Sequence, residues 1–215
     1  MYDLHTHTLQ SDGELLPLEL LRRMAVLGYD EVAIADHADT STRPLVLETA
    51  DTVAVSAARY GVVFYPAVEL THVPPDEIDA LARQAKAEGA VLVVVHGETP
   101  VEPVAPGTNH AACTSAHVDV LAHPGLIAMD DARAAADNGI ALELTVRGGH
   151  NRTNGHVART ALAAGCWIVV NSDAHAPCDL MTAADRVTVA RGAGLDTRAC
   201  REALDLNIAE WLGSR

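Results

Sequence analysis

Imidazole and carboxylate side chains recur in this sequence directly after short apolar runs. The chain has 11 His among 215 residues, and His5 and His7 follow the first of these runs. Residues i and i+2 of an extended strand point to the same face, so both rings can enter one cavity. Asp173 and His175 have the same spacing. Imidazole and carboxylate donors together suit Zn, Mn and Fe, and the absence of Cys ligands disfavours a closed structural zinc site.

Six of the seven apolar runs end in a potential metal ligand. Besides the two pairs above, the runs lead to Asp36 and His37, Glu69, His96 and His123. The remaining run contains Glu143 and continues to Arg147. Barrel enzymes place their chemistry at the carboxyl ends of parallel strands. The sequence therefore predicts a cavity with enough ligands for more than one divalent ion, in which Glu69 is best placed to bridge two.

The apolar runs alternate with segments of helical periodicity, which is typical of a parallel α/β fold. The predicted strands cover residues 2–4, 32–35, 62–68, 91–95, 118–122, 140–144 and 167–170. The predicted helices cover residues 17–28, 44–59, 76–88, 108–116, 129–138, 153–164, 181–192 and 197–212. Seven βα units in one domain, residues 1–215, predict a closed or nearly closed TIM-like barrel. A doubly wound open sheet is the alternative, but its nucleotide-binding motifs GxGxxG and GxxxxGK[ST] are missing.

Composition and charge disfavour several classes of partner. The chain has 15 Lys and Arg against 29 Asp and Glu, and the net charge of −14 repels long nucleic acids and anionic membranes. No apolar run reaches the roughly 18–20 residues that span a membrane. The N-terminal sequence lacks the features of a secretory signal. The four Cys show no CxxC spacing, as expected of reduced thiols in a cytoplasmic protein.

The histidines and carboxylates, taken in order, resemble the PHP (polymerase and histidinol phosphatase) family. The matching motifs are HTHT at 5–8, SDG at 11–13, ADH at 35–37, Glu69, His96, AHPG at 122–125 and NSDAH at 171–175. The segments 97–109 and 149–156 are similar to those of small stand-alone, histidinol-phosphatase-like members. The resemblance implies a single-domain α/β fold, a distorted (β/α)7 barrel, which agrees with the strand count.

The resemblance also implies two or three divalent metal ions, of Zn, Mn or Fe. It assigns His5, His7, Glu69 and Asp173 to the first ion. It assigns Glu69, His96 and His123 to the second ion, so that Glu69 bridges the two. It assigns Asp12, His37 and His175 to the third ion. Position 12 alternates between Asp and His in the family, and Asp12 resembles one branch.

The segment after the sixth predicted strand supplies candidate substrate-binding residues. Arg147 is the first choice for a phosphate clamp, because Arg pairs bidentately with phosphate oxygens, and Arg152 is the second. His150 follows the same strand and is a candidate for phosphate binding or for proton donation. His72 and His110 could also reach the cavity. His117 and His156 are expected to be structural or exposed.

Three functions fit these residues. The first is a metal-dependent phosphatase that acts on a small phosphomonoester, with histidinol phosphate suggested by the resemblance alone. In it a hydroxide shared by metals near Glu69 and Asp173 attacks phosphorus in line, and His150, His72 or a bound water serves as the acid. The second is a phosphodiesterase or exonuclease that acts on short nucleotides. The third is a non-catalytic, metal-stabilised module that binds a partner.

Overall fold

The computed structural model describes residues 1–214 without the side chain of Asp51, and in this part of the chain seven of eight parallel strands curl into a barrel. The strands, in chain order, are β1 (Tyr2–Asp3), β2 (Glu31–Ile34), β3 (His37–Ala38), β4 (Val63–Leu70), β5 (Leu92–His96), β6 (Val120–Ala122), β7 (Ala141–Thr145) and β8 (Ile168–Asn171). Their spatial order is β1-β2-β4-β5-β6-β7-β8, and the short β3 pairs with β4 beyond the end of β2. The predicted TIM-like barrel is therefore confirmed.

The barrel closes through the segments that follow β1 and β8. Thr6 and Ala174 form a parallel bridge. The amide of Asp173 donates to the carbonyl of His5 at 2.9 Å, and the amide of His7 donates to the carbonyl of Ala174 at 2.9 Å. This closure brings the pair His5 and His7 next to the pair Asp173 and His175, although the two pairs lie at opposite ends of the sequence.

Helices follow the strands and cover the outside of the barrel. They are α1 (Pro17–Leu27), α2 (Arg43–Arg59), α3 (Ile78–Ala87), α4 (Thr108–Thr114), α5 (Met129–Asp137), α6 (Asn154–Ala164), α7 (Ala183–Gly192), α8 (Thr197–Leu204) and α9 (Ile208–Gly213). Gly28 and Gly165 end α1 and α6 in the left-handed conformation, with φ of 87° and 81°, as the sequence predicts. Within residues 1–214, no helix is both long and apolar enough to cross a bilayer.

The predicted single helix over 197–212 is wrong, because the chain breaks into α8 and α9. The side chain of Asn207 accepts a hydrogen bond from the amide of Glu210 and so caps the start of α9. The break turns Ile208 and Trp211 into the apolar interior of the barrel. Trp211 is 1% exposed, and its indole N–H donates to the carbonyl of Gly139, just before β7, at 3.1 Å. Helix α9 therefore closes the amino end of the barrel.

Alternation along the strands separates an apolar layer from a polar one. Ala67, Val94 and Ala141 belong to the apolar cluster inside the barrel. Residues two positions further along β4, β5 and β7 point to the same side, and these are Glu69, His96 and Glu143. The interior is therefore apolar near α9 and polar at the carboxyl ends of the strands.

Candidate metal centre

All nine predicted ligands gather at the carboxyl end of the barrel. Six of them line a cavity of about 250 Å³, namely Asp12, His37, His96, His123, Asp173 and His175. The other three are buried beneath it and contact this set. His5 and His7 lie 3.9 and 3.3 Å from Asp173, and Glu69 lies 2.6 Å from His37. Residues that are 170 positions apart in the sequence thus share one site because the strands end at one edge.

Glu69 lies at the centre of the cluster, with no exposed surface. Its Oε1 is 3.3 Å from His5 Nε2 and 3.6 Å from His123 Nε2. Its Oε2 is 3.7 Å from His7 Nε2 and 2.6 Å from His37 Nδ1. The two oxygens therefore face different pairs of rings, which is the arrangement that a bridging carboxylate needs.

Two of the predicted ligands have an unusual backbone conformation. His123 and Asp173 have positive φ, 28° and 53°, and such strain costs about 1–3 kcal/mol per residue. Asp173 thereby reaches several rings, with its Oδ1 at 3.3 Å from His7 Nε2 and its Oδ2 at 3.5 Å from His123 Nε2. At these two positions the strained backbone directs the side chain into the site.

Asp12 reaches the cavity from the loop after β1. Its Oδ1 is 3.1 Å from His175 Nε2 and 3.5 Å from His37 Nε2. Asp36, two residues after β2, holds this loop and does not line the cavity. Its carboxylate accepts hydrogen bonds from the Thr8 amide and hydroxyl and from the Ser11 hydroxyl, at 2.6–2.7 Å.

Gly13 allows the same loop to fold tightly. A Cβ at this position would lie 2.6 Å from the carbonyl carbon of His7. No side chain fits in that space, so the third position of the SDG motif must be glycine for steric reasons. The motif as a whole brings the Asp12 carboxylate to the histidines.

The spacing of the donor atoms tests whether metal ions fit. Two ligands bound at about 2.1 Å to one ion are about 3.0 Å apart at a right angle and about 3.4 Å apart in a tetrahedron. The nitrogen–oxygen pairs of His5 with Glu69, His7 with Asp173 and His175 with Asp12 lie 3.3, 3.3 and 3.1 Å apart.

Several of these donor atoms also lack partners. Among the described residues, His5 Nε2, both ring nitrogens of His7 and Glu69 Oε1 are buried without a hydrogen bond. Leaving one such atom unpaired costs about 1–3 kcal/mol. The donor set therefore fits divalent cations.

The surroundings set the protonation states of the donors. Burial lowers the pKa of His7 well below its usual range, and the nearby His5, His37 and His175 act in the same direction. Burial and His123 lower the pKa of His150 to about 4. Burial alone would raise the pKa of Glu69, but His5 and His37 outweigh it and hold that pKa well below the usual range. Neutral imidazole and ionised carboxylate are the forms that bind metals.

His5, His37 and His96 differ from His7, because nearby carboxylates outweigh the effect of burial and raise the pKa of each ring, that of His37 to about 9. Burial would lower the pKa of His5, but Glu143, Glu69 and Asp173 outweigh it and raise the pKa well above the usual range. A metal ion that binds the His5 ring must therefore displace a proton. The affinity of this part of the site is expected to rise with pH.

Glu143 orients two of the ligands from below the cavity. Its Oε1 lies 2.8 Å from His5 Nδ1, and its Oε2 accepts a hydrogen bond from the His123 amide at 3.1 Å. Asn171 also donates to Oε1, at 2.8 Å. A carboxylate on the far nitrogen of a histidine fixes which nitrogen faces the metal. Glu143 thus positions His5 with Nε2 toward Glu69.

The predicted substrate-binding residues divide into two groups. Arg147 lines the cavity, and its Nη1 lies 3.5 Å from Asp179 Oδ2. His150 also lines the cavity and is 5% exposed. Arg152 is exposed and does not line the cavity, so the structure brings Arg147 but not Arg152 to the site. Arg147 precedes the helical turn His150–Thr153, whereas Arg152 lies within it.

Of the four remaining histidines, one lines the cavity and three lie outside it. His72 lines the cavity, as the sequence allowed. His110 does not, because it is exposed and lies 2.8 Å from Asp131 on α5. His156 has its Nε2 2.8 Å from the carbonyl of Ile127, and His117 is half-buried outside the cavity. Both agree with the expected structural roles.

Besides Thr71, one residue of the cavity lining, Glu102, is absent from the sequence predictions. It lies in the irregular segment 97–109, and its Oε2 is 3.1 Å from His96 Nε2. The only sequence signal was the position of a long irregular segment directly after a strand that ends in histidine. Nothing in that pattern selects Glu102 over Glu98 in the same segment.

The fold and the site define an α/β barrel with a candidate centre for several metal ions. In structure, the chain is similar to histidinol phosphate phosphatase from Lactococcus lactis, which was crystallised with zinc, L-histidinol and phosphate. The TM-score is 0.61 and the identity 14%, and the match covers 91% of this chain and 94% of the other. The two proteins share the barrel fold. No model of a known protein family matches the chain, and membership in the PHP family stays a prediction.

In sequence, the chain is 44% identical over 205 residues to the uncharacterized protein MJ1295 of Methanocaldococcus jannaschii, and the match covers 94% of both chains. The chain belongs to the same family as that protein. It is also 29% identical over 153 residues to ribonuclease P protein component 3 of Methanosarcina mazei. That match covers 68% of this chain and 56% of the other.

Proposed function

We propose that the protein is a metal-dependent phosphatase that hydrolyses a small phosphomonoester. The observation that carries this proposal is the gathering of nine histidine and carboxylate ligands in and beneath the wall of a cavity that Arg147 also lines. The fold shared with a histidinol phosphate phosphatase supports the same class of substrate. A non-catalytic module could lose ligands at little cost, whereas here every ligand position of the resemblance is filled.

The ligands form overlapping sets, each of which could hold one ion. His5, His7 and Glu69 come together, as do His5, His123 and Asp173. Asp12, His37 and His175 form another set with His7. Bound there, divalent ions would act as Lewis acids and lower the pKa of coordinated water.

Charge balance favours an anionic substrate. Three divalent ions and Arg147 would bring about +7, while the five carboxylates at or beneath the cavity, Asp12, Glu69, Glu102, Glu143 and Asp173, return about −5. A cavity that holds three ions is thus positive inside a protein of net charge −14. This local field attracts a phosphate dianion, and the acidic outer surface repels large polyanions.

The size of the cavity favours a small reacting group. Binding pockets for drug-sized ligands enclose about 300–1,000 Å³, whereas this cavity has about 250 Å³. A phosphoryl group with its ions would fit inside it. The alcohol part of the substrate would extend past Arg147, where a second groove is lined by Val146, Leu180 and Met181.

Arg147→Ala is expected to raise KM for the phosphomonoester by about tenfold and to change kcat little, because Arg147 binds phosphate before and during the reaction. Steady-state kinetics of the metal-loaded protein measure both constants. Arg191→Ala removes an equal charge from an exposed position on α7 and is the matched control. An unchanged KM in the Arg147 variant would contradict the proposed binding of phosphate by Arg147.

Release of inorganic phosphate from a panel of phosphomonoesters tests the proposed function. The panel includes histidinol phosphate, and the protein is loaded with Mn²⁺ or Zn²⁺. We expect metal-dependent release that is lost in Asp173→Asn. Asn tolerates positive φ, so this variant keeps the backbone while it loses the charged ligand. A metal-loaded protein that releases no phosphate from any ester of the panel would disprove the proposal.

A phosphodiesterase is the second candidate, and the similarity to a ribonuclease P protein component favours it. The net charge of −14 disfavours long RNA, so short nucleotides are the expected substrates of this alternative. Rates for one phosphomonoester and its methyl diester separate the two functions. A phosphatase prefers the monoester, whereas faster hydrolysis of the diester would favour the alternative.

A further inference from the structure

We propose that Glu102 is a metal ligand carried by the loop 97–109, and that it completes a binding site for one divalent ion with His96, His123 and His150. Neither Glu102 nor His150 belongs to the ligand set that the family resemblance implies. The inference rests on the metal centre of the proposed function but not on the nature of the substrate.

The Glu102 carboxylate lies between two of the three rings. Its Oε2 is 3.1 Å from His96 Nε2, and its Oε1 is 3.3 Å from His150 Nε2. These separations are the ones expected of two ligands on one ion, about 3.0–3.4 Å. They also match the nitrogen–oxygen separations found among the predicted ligands.

His123 brings the third ring to the same place. Its ring centroid is 4.5 Å from that of His96 and 4.3 Å from that of His150. The three rings offer nitrogen atoms within 4.8 Å of one another. All three residues are at most 5% exposed, and the Nδ1 atom of each ring is buried without a hydrogen-bond partner among the described residues.

The loop is fixed at its base to the strand end that carries His96. The side chain of Glu98 accepts hydrogen bonds from the amides of Gly107 and Asn109, at 2.9 and 3.0 Å. Asn109 Oδ1 in turn accepts from the amide of Glu98 at 3.0 Å. These bonds close the loop on itself and hold Glu102 at its far side.

The loop also contacts the segments that carry the other two rings. Asn109 Nδ2 donates to the carbonyl of Pro124, the residue after His123, at 2.8 Å. Val101 packs against Gly149, the residue before His150, where a Cβ would lie 3.2 Å from Val101 Cγ1. The loop is therefore tied to all three segments that present the rings, with Glu102 directly after the Val101 contact.

Metal binding by variants of the full-length protein tests the proposal. Glu102→Gln keeps the size of the side chain and removes the charged donor. Glu77→Gln removes an equal charge from an exposed position outside the cavity and is the matched control. Each protein is titrated with Zn²⁺ by calorimetry, and its bound metal is counted after gel filtration. Absorption spectra of the Co²⁺-loaded proteins report the ligands of the ion.

We expect Glu102→Gln to lose one bound ion, or to bind one ion at least about tenfold more weakly, with an altered Co²⁺ spectrum. Glu102→Asp, which keeps a carboxylate, is expected to restore part of the affinity. Glu77→Gln is expected to match the wild type. A folded Glu102→Gln protein with the stoichiometry, affinity and spectrum of the wild type would show that Glu102 only pairs with the histidines, and would overturn the proposal.

Failure of this inference and failure of the proposed function can be distinguished. A wild-type protein that binds metal but hydrolyses no phosphomonoester would disprove the phosphatase function. The effect of Glu102→Gln on metal binding would still support Glu102 as a metal ligand. A wild-type protein that binds no divalent ion would overturn both.

Discussion

Glu69→Gln is expected to remove bound metal and to lower hydrolysis of a phosphomonoester by about a thousandfold or more. The carboxylate is fully buried, and each of its oxygens faces two histidine rings. Gln keeps the shape but replaces one oxygen with an N–H₂ group, which cannot bind a cation. Metal content after gel filtration and the rate of phosphate release measure the two effects.

Glu143→Gln is the matched control for this prediction, because Glu143 is an equally buried carboxylate that touches the ligands and not the cavity. Loss of an orienting partner of this kind typically costs about 10–100-fold in metal affinity or activity. Glu143→Gln is therefore expected to be affected much less than Glu69→Gln. A Glu69→Gln protein with the metal content and activity of the wild type would contradict the central position of Glu69.

Trp211→Ala is expected to lower the free energy of unfolding by about 3–5 kcal/mol, as for other large-to-small changes in a core. Trp211 is 1% exposed and closes the amino end of the barrel against residues such as Tyr2 and Ala141. Its loss would leave a cavity and would also remove the hydrogen bond to the carbonyl of Gly139. Urea unfolding, followed at one fixed metal concentration, measures the change.

Trp167→Ala is the matched control, since Trp167 is the same residue type but 45% exposed. Its effect is expected to be much smaller. The candidate site lies at the opposite end of the barrel, so folded Trp211→Ala protein is expected to bind metal as the wild type does. Equal free energies of unfolding for the two variants would contradict the role of α9 as the closing element.

The sequence alone was sufficient for the barrel and for the gathering of the eight predicted ligands that follow strands, while the ninth, Asp12, was implied only by the family resemblance. Both depend on local rules. Strands that are buried on both faces are apolar, and alternation along a strand places Glu69 on the same side as Ala67 and His96 on the same side as Val94. The carboxyl ends of parallel strands in a barrel meet at one edge. A residue at such an end is therefore brought to the site whatever its distance along the chain.

Features that depend on contacts between distant segments could not be predicted in this way. The break between α8 and α9 follows from the burial of Ile208 and Trp211 in the barrel, and the helical period of 197–212 continues across it. Asp36 follows a strand, yet it holds the loop of Asp12, because the hydroxyls of Thr8 and Ser11 lie within reach.

The tertiary structure alone decided which residues of the irregular segments reach the cavity. Glu98 and Glu102 are alike in sequence, but the backbone amides of Gly107 and Asn109 engage the first and leave the second facing His96 and His150. Arg147, which precedes a helical turn, lines the cavity, whereas Arg152, within that turn, is exposed. A loop without periodicity has no rule that fixes the direction of its side chains, so the direction is set by hydrogen bonds to other parts of the chain.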